Sequence, residues 1–361
     1  MSLTPNPTER IARARADLRM GVPVVIADRK SALVFAVETL NERRWRHALR
    51  LLEDPVMTIT DWRAHTLRAR VYDGDLARVD IPKDASIEWL QSLADPAYDL
   101  SSPMKGPLKT KRGGDTVLHR AALKLVKSAH LLPAAIVIPI PNAWTFSSTN
   151  DLTVMELDSL QSDDQAPTMH QVVQASLPLE VSDAGRLHVF RPDDGGEEHY
   201  AIEIGQPDRS KPVLSRLHSA CLTGDLLGSL KCDCGPQLRA GLRHIGDEGS
   251  GVLLYLNQEG RGIGLANKMR AYSLQDQGFD TVEANHRLGF EDDERDFRIG
   301  STILKSMGFS SVRLMTNNPA KVARMEENGI KVVDRVPLKV GKNHHNAHYL
   351  DIKAKKSGHI L

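Results

Sequence analysis

The stretch RLHSACLTGDLLGSLKCDCGPQL (216–238) contains all three cysteines of this 361-residue chain, Cys221, Cys232 and Cys234. Cys232 and Cys234 are two positions apart, and on an extended segment their thiolates would face the same way. Cys221 can join them from a neighbouring turn. Thiolates are ligands for soft divalent metals, so the spacing predicts one zinc ion with a fourth position left for water, as in catalytic sites.

Other interpretations of the cysteines remain open at this point. Free cysteines are often small buried side chains without a metal. A disulfide is disfavoured because the number of cysteines is odd and a chain of this size can build an ordinary core. His218 stands three residues before Cys221 and could complete a closed structural site of three thiolates and one imidazole.

Composition argues against two classes of partner. Lys and Arg total 47 and Asp and Glu total 46, so we expect no broad surface for nucleic acid. The longest apolar stretch, LLPAAIVIPIP (131–141), is too short to span a bilayer and contains prolines. The N-terminal run MSLTPNPTERIARARADLRM lacks the apolar segment of a signal peptide. We therefore expect a cytoplasmic protein that acts on a small molecule, without a nucleic-acid or membrane partner.

Apolar periodicity predicts the α/β class, mixed α+β, with two domains that each have a mixed sheet flanked by helices. The polar segment 159–170 is the predicted boundary, which gives domains 1–165 and 166–361. The first-domain elements that we predict are helix 10–21, strand 22–28, helix 117–130 and strand 133–141. The second-domain elements that we predict are strands 178–191, 197–205, 252–256, 312–316 and 331–336, helix 236–249, and helices that end at Gly278 and begin at Pro319.

A glycine-rich turn follows the predicted strand 252–256. Gly260, Gly262 and Gly264 do not match the dinucleotide-binding fingerprint, because position 265 is leucine where that pattern requires glycine. The backbone of this loop can nevertheless approach a ligand closely, and the loop carries Glu259 and Arg261.

Further polar groups suggest anion binding. Thr316, Lys321 and the free N–H groups of the helix that begins at Pro319, capped by Asn318, could bind an anion. In the charged run 291–295, Asp293 and Arg295 could supply a base and an anion partner, or the run could be a solvated face. The basic run 103–115 has no interleaved aromatic residues, so we interpret it as a flexible solvated loop.

Taken alone, these residues predict a zinc hydrolase that acts on a phosphorylated substrate. Some nucleobase deaminases use zinc held by three thiolates to direct activated water to the ring carbon of a C=N group, with a nearby carboxylate moving protons.

Five segments of the second half closely resemble GTP cyclohydrolase II, the first enzyme of riboflavin biosynthesis. They are LHSACLTGDLLGSLKCDCGPQL, LLYLNQEGRGIGLANKMRAYSLQDQGFDTVEANHRLGF, DERDF, LMTNNPAKV and HYLDIKAKKSGHIL, within residues 170–361. The resemblance implies one catalytic Zn²⁺ per chain on Cys221, Cys232 and Cys234, and Mg²⁺ with the GTP phosphates. It implies attack at C8 of guanine and the products formate, pyrophosphate and 2,5-diamino-6-(5-phosphoribosylamino)pyrimidin-4(3H)-one.

The resemblance also implies roles for single residues. Asp293 would be the proton acceptor, Arg295 the group that attacks the α-phosphate, and Tyr272 would lie near the reacting base. The residues implied to contact GTP are Arg216, Leu217, His218, Ser219, Ala220, Gln237, Glu259, Gly260, Arg261, Thr281, Thr316 and Lys321. Many members have glutamate in place of Ala220 and arginine in place of Asn257, and either change could weaken turnover, alter GTP contacts or stop the reaction at the formamide.

The first half resembles 3,4-dihydroxy-2-butanone 4-phosphate synthase through the VPVVIAD strand and the run HRAALKLVKSAHLLPAAIVIPIP. The acidic metal-binding loop of that family is absent, because Asp28 is followed by RKSALVFAVETL, and alanine replaces the family's glutamate near His119, at Ala121. Without those carboxylates nothing would hold Mg²⁺ or abstract the sugar proton. We expect a degenerate, non-catalytic domain retained for packing, dimerisation or regulation.

The leading hypothesis is thus a homodimeric GTP cyclohydrolase II. One alternative is a paralogue that stops at the formamidopyrimidine or uses another nucleotide. An alternative of a different class is a non-catalytic GTP-binding regulatory protein with structural zinc.

Overall fold

The computed structural model describes residues 3–161 and 168–341. Part of the predicted boundary segment lies outside these residues. So do the C-terminal run HYLDIKAKKSGHIL and the histidines at 344, 345 and 348, which we interpret as part of a surface or intersubunit segment. Within the described residues, none of the helices has both the length and the hydrophobicity that a membrane span requires.

Helices and strands alternate through the described residues. The helices are α1 (Pro7–Arg19), α2 (Glu42–Leu51), α3 (Asp61–Thr66), α4 (Ile87–Ala94), α5 (Val117–Ser128), α6 (Ala143–Asn150), α7 (Leu157–Gln161), α8 (Cys234–Glu248), α9 (Leu265–Asp276), α10 (Thr281–Leu288), α11 (Arg298–Ser306) and α12 (Pro319–Glu327). The strands are β1 (Val24–Ala27), β2 (Ser31–Ala36), β3 (Val56–Thr60), β4 (Leu76–Asp80), β5 (Ala134–Ile140), β6 (Val154–Glu156), β7 (Met169–Ser176), β8 (Gly185–Pro192), β9 (His199–Ile204), β10 (Val213–Ser219), β11 (Gly251–Leu256), β12 (Ser311–Met315) and β13 (Lys331–Val336).

The chain divides into two compact units. The first unit comprises Met1–Gln165 and Ala266–Glu294, and the second comprises Ala166–Leu265 and Arg295–Leu361. Residues 266–294 therefore pack with the first unit, although they follow the predicted boundary in sequence. The functional division that we predict between residues 1–165 and 166–361 stays a prediction.

The sheet of the first unit has the order β4-β3-β5-β2-β1-β6, with β1 and β6 parallel and the other neighbours antiparallel. Helix α1 begins in a capping box between Asn6 and Glu9. It packs Ile11, Ala14 and Leu18, which lie on one helical face, into the core of this unit.

The sheet of the second unit has the order β13-β12-β10-β11-β9-β8-β7. The neighbours from β13 to β11 are parallel and those from β11 to β7 are antiparallel. Side chains of β11 alternate between two cores: Val252 and Leu254 pack with Ile303 of α11, and Leu253 packs with Ile245 of α8. Helices thus cover both faces of this sheet, and the predicted fold class is confirmed.

The parallel part of this second sheet positions the candidate site. Parallel strands β10, β11 and β12 end at Ser219, Leu256 and Met315. Their carboxyl ends share one edge, where ligands of open α/β sheets bind. The cysteine segment, the glycine-rich loop and the start of α12 all follow these strand ends.

Two local predictions are wrong. Residues 178–184 do not continue strand β8, because Leu179 and Ser182 exchange backbone hydrogen bonds in a turn and the strand begins at Gly185. The segment from Cys232 to Cys234 is not extended, because Asp233 has φ −101° and ψ 3° and Cys234 opens α8. The two thiols converge through this turn and not through strand alternation.

Candidate functional site

Three thiols lie together at the carboxyl end of β10. Cys221 follows this strand, Cys232 lies in the turn before α8, and Cys234 is the first residue of α8. Their Sγ atoms all lie within 4.8 Å of one another. The Sγ atoms of Cys221 and Cys232 are 3.7 Å apart, too far for a disulfide, and none of the three cysteines forms one.

The closeness of the thiols has an electrostatic consequence. The thiol of Cys221 is the main cause that raises the pKa of Cys232, and together with Cys232 it raises the pKa of Cys234 well above its ordinary value. Three thiolates this close repel one another, and a divalent cation between them removes that cost. The donor set therefore fits a soft metal ion such as zinc.

Gly224 shapes the space between the thiols. Its backbone N–H donates to Sγ of Cys221 at 3.3 Å. A Cβ atom on this glycine would lie 2.6 Å from Sγ of Cys232 and 3.1 Å from Sγ of Cys221. A larger residue would therefore have to displace the thiols, so the short turn 222–226 depends on glycine at this point.

Asp225 holds the turn that carries Cys221. Its carboxylate accepts hydrogen bonds from the N–H of Cys221, from Nε2 of His218 and from the hydroxyl of Tyr255, each at 3.0 Å. Burial is the main cause that lowers the pKa of His218 and raises the pKa of Tyr255. His218 is therefore neutral at pH 7 and donates from Nε2, and Tyr255 keeps its proton.

In this network the imidazole of His218 contacts Asp225, which argues against a closed site with His218 as the fourth ligand. Among the residues that the structure describes, the group with metal-ligand spacing consists of Cys221, Cys232 and Cys234, without His218. The imidazole orients a carboxylate that in turn orients Cys221, which is how outer groups support metal ligands.

Arg216 and Gln237 connect the second sheet to α8. Arg216 Nη2 donates to Oε1 of Gln237 at 2.6 Å, and its Nη1 donates to the carbonyl of Met315 at 3.3 Å. Gln237 Nε2 donates to Asp233 at 2.5 Å, next to Cys234. Burial lowers the pKa of Arg216 to about 10, so it stays charged at pH 7. Arg216 and Gln237 are thus neighbours, and their contact with GTP stays a prediction.

The glycine-rich loop after β11 contacts the cysteine turn. The carboxylate of Glu259 accepts from the N–H of Leu222 at 2.6 Å and from the N–H of Gly260 at 3.0 Å. Arg261 has a φ of 62°, a left-handed conformation that costs a residue other than glycine about 1 kcal/mol. The structure brings Glu259 to the turn of Cys221, and Arg261 is held beside it in strained backbone.

The start of α12 provides a second polar end, as predicted. Asn318 caps the helix by accepting from the N–H of Ala320 at 2.9 Å, and its own N–H donates to Thr316 Oγ1 at 3.0 Å. Lys321 Nζ donates to the carbonyl of Leu217 at 3.1 Å. Thr316, Lys321 and the strand β10 therefore meet where a helix N-terminus favours an anion.

Three cations surround the ring of Phe297. The guanidinium carbons of Arg295 and Arg324 lie 4.9 and 5.0 Å from the ring centroid, and Nζ of Lys321 lies 5.8 Å from it. Arg295 Nη1 also donates to Ser219 Oγ at 3.3 Å. A cluster of this charge is suited to a polyphosphate.

The remaining predicted residues are placed as follows. Tyr272 on α9 lies 5.7 Å from Lys268 Nζ, measured from the ring centroid. Thr281 opens α10 and accepts from Gln275 Nε2 at 3.3 Å. Asp293 is half-buried in the segment after α10. These three belong to the first unit, and the roles that we predict for them stay predictions.

The two departures from the family pattern have different surroundings. Asn257 Nδ2 donates to the carbonyl of Glu198 at 2.5 Å, and its N–H donates to Nδ1 of His199 at 3.0 Å. Asn257 therefore serves to hold β9 against the end of β11. Ala220 uses only its backbone, donating to the carbonyl of Leu256 at 2.8 Å.

Sequence reasoning missed Asp225, Tyr255, Phe297 and Arg324. Asp225 lies four residues after Cys221, and a carboxylate inside a metal loop is a signal for an outer-shell acceptor. Arg324 lies three residues after Lys321, a spacing that places both on one helical face. Tyr255 and Phe297 carry no sequence signal, since their roles arise from contacts between distant segments.

The comparisons of sequence with a family model and with curated proteins agree on one family. Residues 170–337 match the family model described as GTP cyclohydrolase II. The chain is 41% identical over 360 residues to the GTP cyclohydrolase-2 of Azospirillum brasilense. This alignment covers 97% of this chain and 94% of that protein. It is 55% identical over 193 residues to the GTP cyclohydrolase-2 of Escherichia fergusonii, across 54% of this chain and 97% of that protein.

A solved structure, a two-domain 3,4-dihydroxy-2-butanone 4-phosphate synthase from A. baumannii, aligns with 92% of this chain and 100% of that chain at 17% identity and a TM-score of 0.33. At this TM-score the likeness supports no conclusion about either unit.

Proposed function

The chain belongs to the GTP cyclohydrolase II family of riboflavin-pathway hydrolases, and we propose that it opens the imidazole ring of GTP in a zinc-dependent reaction at C8. The proposed products are formate, pyrophosphate and 2,5-diamino-6-(5-phosphoribosylamino)pyrimidin-4(3H)-one. The observation that carries the proposal is the group of three thiols whose Sγ atoms lie within 4.8 Å of one another. It lies inside the part of the chain that matches the family model.

The metal chemistry follows from the donor set. When bound by Cys221, Cys232 and Cys234, zinc supplies Lewis acidity that lowers the pKa of water for attack on a C=N carbon. Gly224 donates to Cys221 Sγ, and Asp225 fixes the backbone of Cys221. These contacts hold the first thiolate in one orientation before substrate arrives, which lowers the reorganisation needed for reaction.

The phosphates are proposed to bind at the cation cluster. Arg295, Lys321 and Arg324 share the ring of Phe297, and the first turn of α12 adds backbone N–H groups that favour negative charge. Arg295 contacts Ser219 at the end of β10, two residues before Cys221. This connection supports a substrate that spans from the thiols to the cations, with its base near the metal and its phosphates near Phe297.

The finer roles are part of the same proposal. Asp293 would accept a proton, Arg295 would act at the α-phosphate, and Tyr272 would lie near the base. Mg²⁺ would accompany the phosphates, because bridging of phosphate oxygens by Mg²⁺ is its usual use. A homodimer in the cytoplasm is also proposed.

The first domain is proposed to be a non-catalytic, synthase-like domain. Asp28 is exposed, and Ala121 is part of the hydrophobic core of this unit. His119 Nδ1 lies 2.6 Å from Thr58 Oγ1, and desolvation is the main cause that lowers its pKa to about 4. We interpret this histidine as a packing residue that contacts the sheet through Thr58. We therefore expect no conversion of ribulose 5-phosphate at any Mg²⁺ concentration, and detection of dihydroxybutanone phosphate would contradict this.

Product analysis tests the function. The purified chain, supplied with zinc, Mg²⁺ and GTP, should release formate and pyrophosphate in equal amounts. Pyrophosphate without formate would identify the paralogue that stops at the formamide, which Ala220 makes the relevant alternative. Neither product, with GTP still bound, would identify a regulatory protein and would overturn the proposed hydrolysis.

A further inference from the structure

A basic cleft lies in the first unit, away in sequence from the residues proposed to bind zinc and GTP. Its volume is about 790 Å³. The residues that line it come from the segment after α3, the end of β4 and the loop before α5. The basic ones are Arg68, Arg70, Lys109, Lys111 and Arg112.

The walls of the cleft are fixed by one buried arginine. Arg78 on β4 forms an ion pair with Asp73 at 2.8 Å, and the side chains of both residues are only 6% exposed. Its Nη2 also donates to the carbonyl of Gly113 at 2.5 Å. Since Asp73 adjoins Tyr72 and Gly113 adjoins Arg112, the two walls are held to the same guanidinium, and the cleft is formed before any ligand binds.

The loop 109–111 is hydrogen-bonded to the sheet. The N–H of Asp80 donates to the carbonyl of Lys109 at 2.9 Å, and the N–H of Lys111 donates to the carbonyl of Arg78 at 2.8 Å. Thr110 forms a bridge with Val79. The interpretation of 103–115 as a flexible solvated loop is therefore wrong for this part, which adds a short segment to the edge of β4.

The charges on the walls are unbalanced. Five lining residues are basic and one, Asp80, is acidic. Lys109 and Lys111 share Asp80, at 3.4 and 4.0 Å. Within residues 3–161 and 168–341, the structure gives Arg68, Arg70 and Arg112 no ion pair. A cleft with this excess of positive charge attracts a ligand that carries several negative charges.

Tyr72 organises the two best-placed arginines. The guanidinium carbon of Arg112 lies 4.7 Å from its ring centroid. Desolvation alone would raise the pKa of Tyr72, but the nearby guanidinium groups of Arg70 and Arg112 outweigh it and lower the pKa. Both guanidinium groups thus lie near the phenol group of Tyr72. Arg68 has a φ of 56°, the left-handed region that disfavours residues other than glycine.

We propose that this cleft binds a compact anion with two or more phosphoryl groups. Arginine forks match phosphate oxygens in pairs, and several charges are needed to balance the excess of the lining. Inorganic pyrophosphate carries this chemistry in its smallest form, and a nucleoside triphosphate carries the same chemistry on a larger molecule. The site is separate from the proposed hydrolysis and does not depend on it.

The test counts bound pyrophosphate per chain. The full chain, in about 150 mM KCl so that unspecific attraction is screened, is titrated with inorganic pyrophosphate by calorimetry. The double variant Arg70→Ala/Arg112→Ala should lose one bound pyrophosphate per chain, or bind it roughly tenfold more weakly. The matched control Arg43→Ala/Lys83→Ala removes two exposed charges of the same unit outside the cleft and should leave binding unchanged.

Two further titrations show which phosphorylated ligand the cleft accepts and whether the planar shape of its arginines matters. GTP and AMP replace pyrophosphate in the same titration. If the cleft accepts nucleotides, the double variant should bind one GTP molecule per chain fewer than the parent. AMP, with a single phosphoryl group, should bind equally to the parent and the double variant. Arg70→Lys/Arg112→Lys keeps the charge without the planar forks, and should also weaken binding.

Equal stoichiometry and affinity in the parent and both cleft variants, with unchanged thermal unfolding, would overturn the proposal. An equal loss in the control variant would do the same. Because the measurement is a difference between parent and variant, binding of pyrophosphate by the second unit does not affect it.

Discussion

Each unit contains a histidine whose ring is held by a polar partner, and the two are used differently. In the first unit His119 pairs with Thr58 at 2.6 Å, and the contact ends within the sheet. In the second unit His218 donates to Asp225, which also accepts from the backbone of Cys221. The comparison indicates that His218, unlike His119, is connected through its partner to the thiols that we propose as metal ligands.

The carboxylates differ in the same way. Asp225 is buried among three donors, whereas Asp28 in the first unit is exposed and Ala121 is part of the hydrophobic core. In the described part of the chain, the three cysteines form the group that could hold a metal. We therefore expect changes in the second unit to act on metal and turnover, and changes in the first unit to act on stability.

The largest effect is expected for Cys232→Ser. The serine hydroxyl does not replace a thiolate on a soft metal, so zinc content should fall from about one per chain to near zero and formate release should be lost. Elemental analysis and a formate assay measure both. The matched control His119→Ala should keep zinc and turnover within about twofold, since this histidine belongs to packing. Full zinc occupancy in Cys232→Ser would show that the ligand assignment is wrong.

The second-largest effect is expected for substitutions of Arg295. Arg295→Ala should reduce pyrophosphate release roughly a hundredfold while zinc content and thermal stability stay nearly unchanged. Arg295→Lys should also be severely impaired, because lysine lacks the planar fork. The control Arg313→Ala removes an arginine of the same unit whose ion pair with Glu248 is partly exposed, and should be neutral. Release within a few-fold of the parent in both Arg295 variants would leave this residue a surface charge.

A smaller effect is expected from Asp225→Asn. The substitution removes the charge that orients Cys221 and His218, and loss of outer-shell partners typically weakens metal affinity by about 10- to 100-fold. Competition with a zinc chelator measures the affinity. Thr58→Val, which removes the partner of His119 in the first unit, should leave zinc affinity unchanged. An unchanged affinity in Asp225→Asn would mean that this carboxylate only stabilises the fold.

The smallest effect concerns acid stability of the first unit. The pKa of His119 is about 4 in the folded chain and 6.5 when unfolded. The unfolded chain therefore binds more protons as pH falls below 6.5, so stability is complete above 6.5 and declines toward pH 4. When the pH is lowered from about 7.5 to about 5, this histidine should reduce the free energy of unfolding by about 2 kcal/mol.

His119→Asn should remove that part of the acid sensitivity. Tryptophan fluorescence is a selective probe, because all four tryptophans lie in the first unit. Denaturant titrations at the two pH values, in parent and variant, give the difference. An identical pH dependence in both chains would contradict the shifted pKa.

The fold class and much of the site could be predicted because their signals are local. Runs such as VPVVIAD and VLLYL became β1 and β11, and Asn318 with Pro319 begins α12 as predicted. Strand β7 was missed because it gives no alternating pattern: the residues after Met169 are all exposed. It pairs with the next strand in the chain, β8, and a strand that is exposed along its length leaves no periodic signal for that pairing.

The outer parts of the site were beyond the sequence for a different reason, because they depend on contacts between separate segments. The spacing of the cysteines predicted a metal group, but the support of Cys221 by Asp225, His218 and Tyr255 joins three separate elements. Likewise the basic run 103–115 shows no aromatic partner of its own, and Tyr72 is supplied from the segment after α3. Long-range contacts decide which polar residues form a site.

Zinc titration of the metal-free chain tests the catalytic role of the thiol group most directly. The chain is stripped with a chelator, supplied with GTP and Mg²⁺, and formate release is measured as zinc is added in steps. We expect release to rise linearly and to level off at about one zinc per chain, as required by a single site of three thiolates. Full formate release from the metal-free chain, or no release at saturating zinc, would contradict a catalytic metal at Cys221, Cys232 and Cys234.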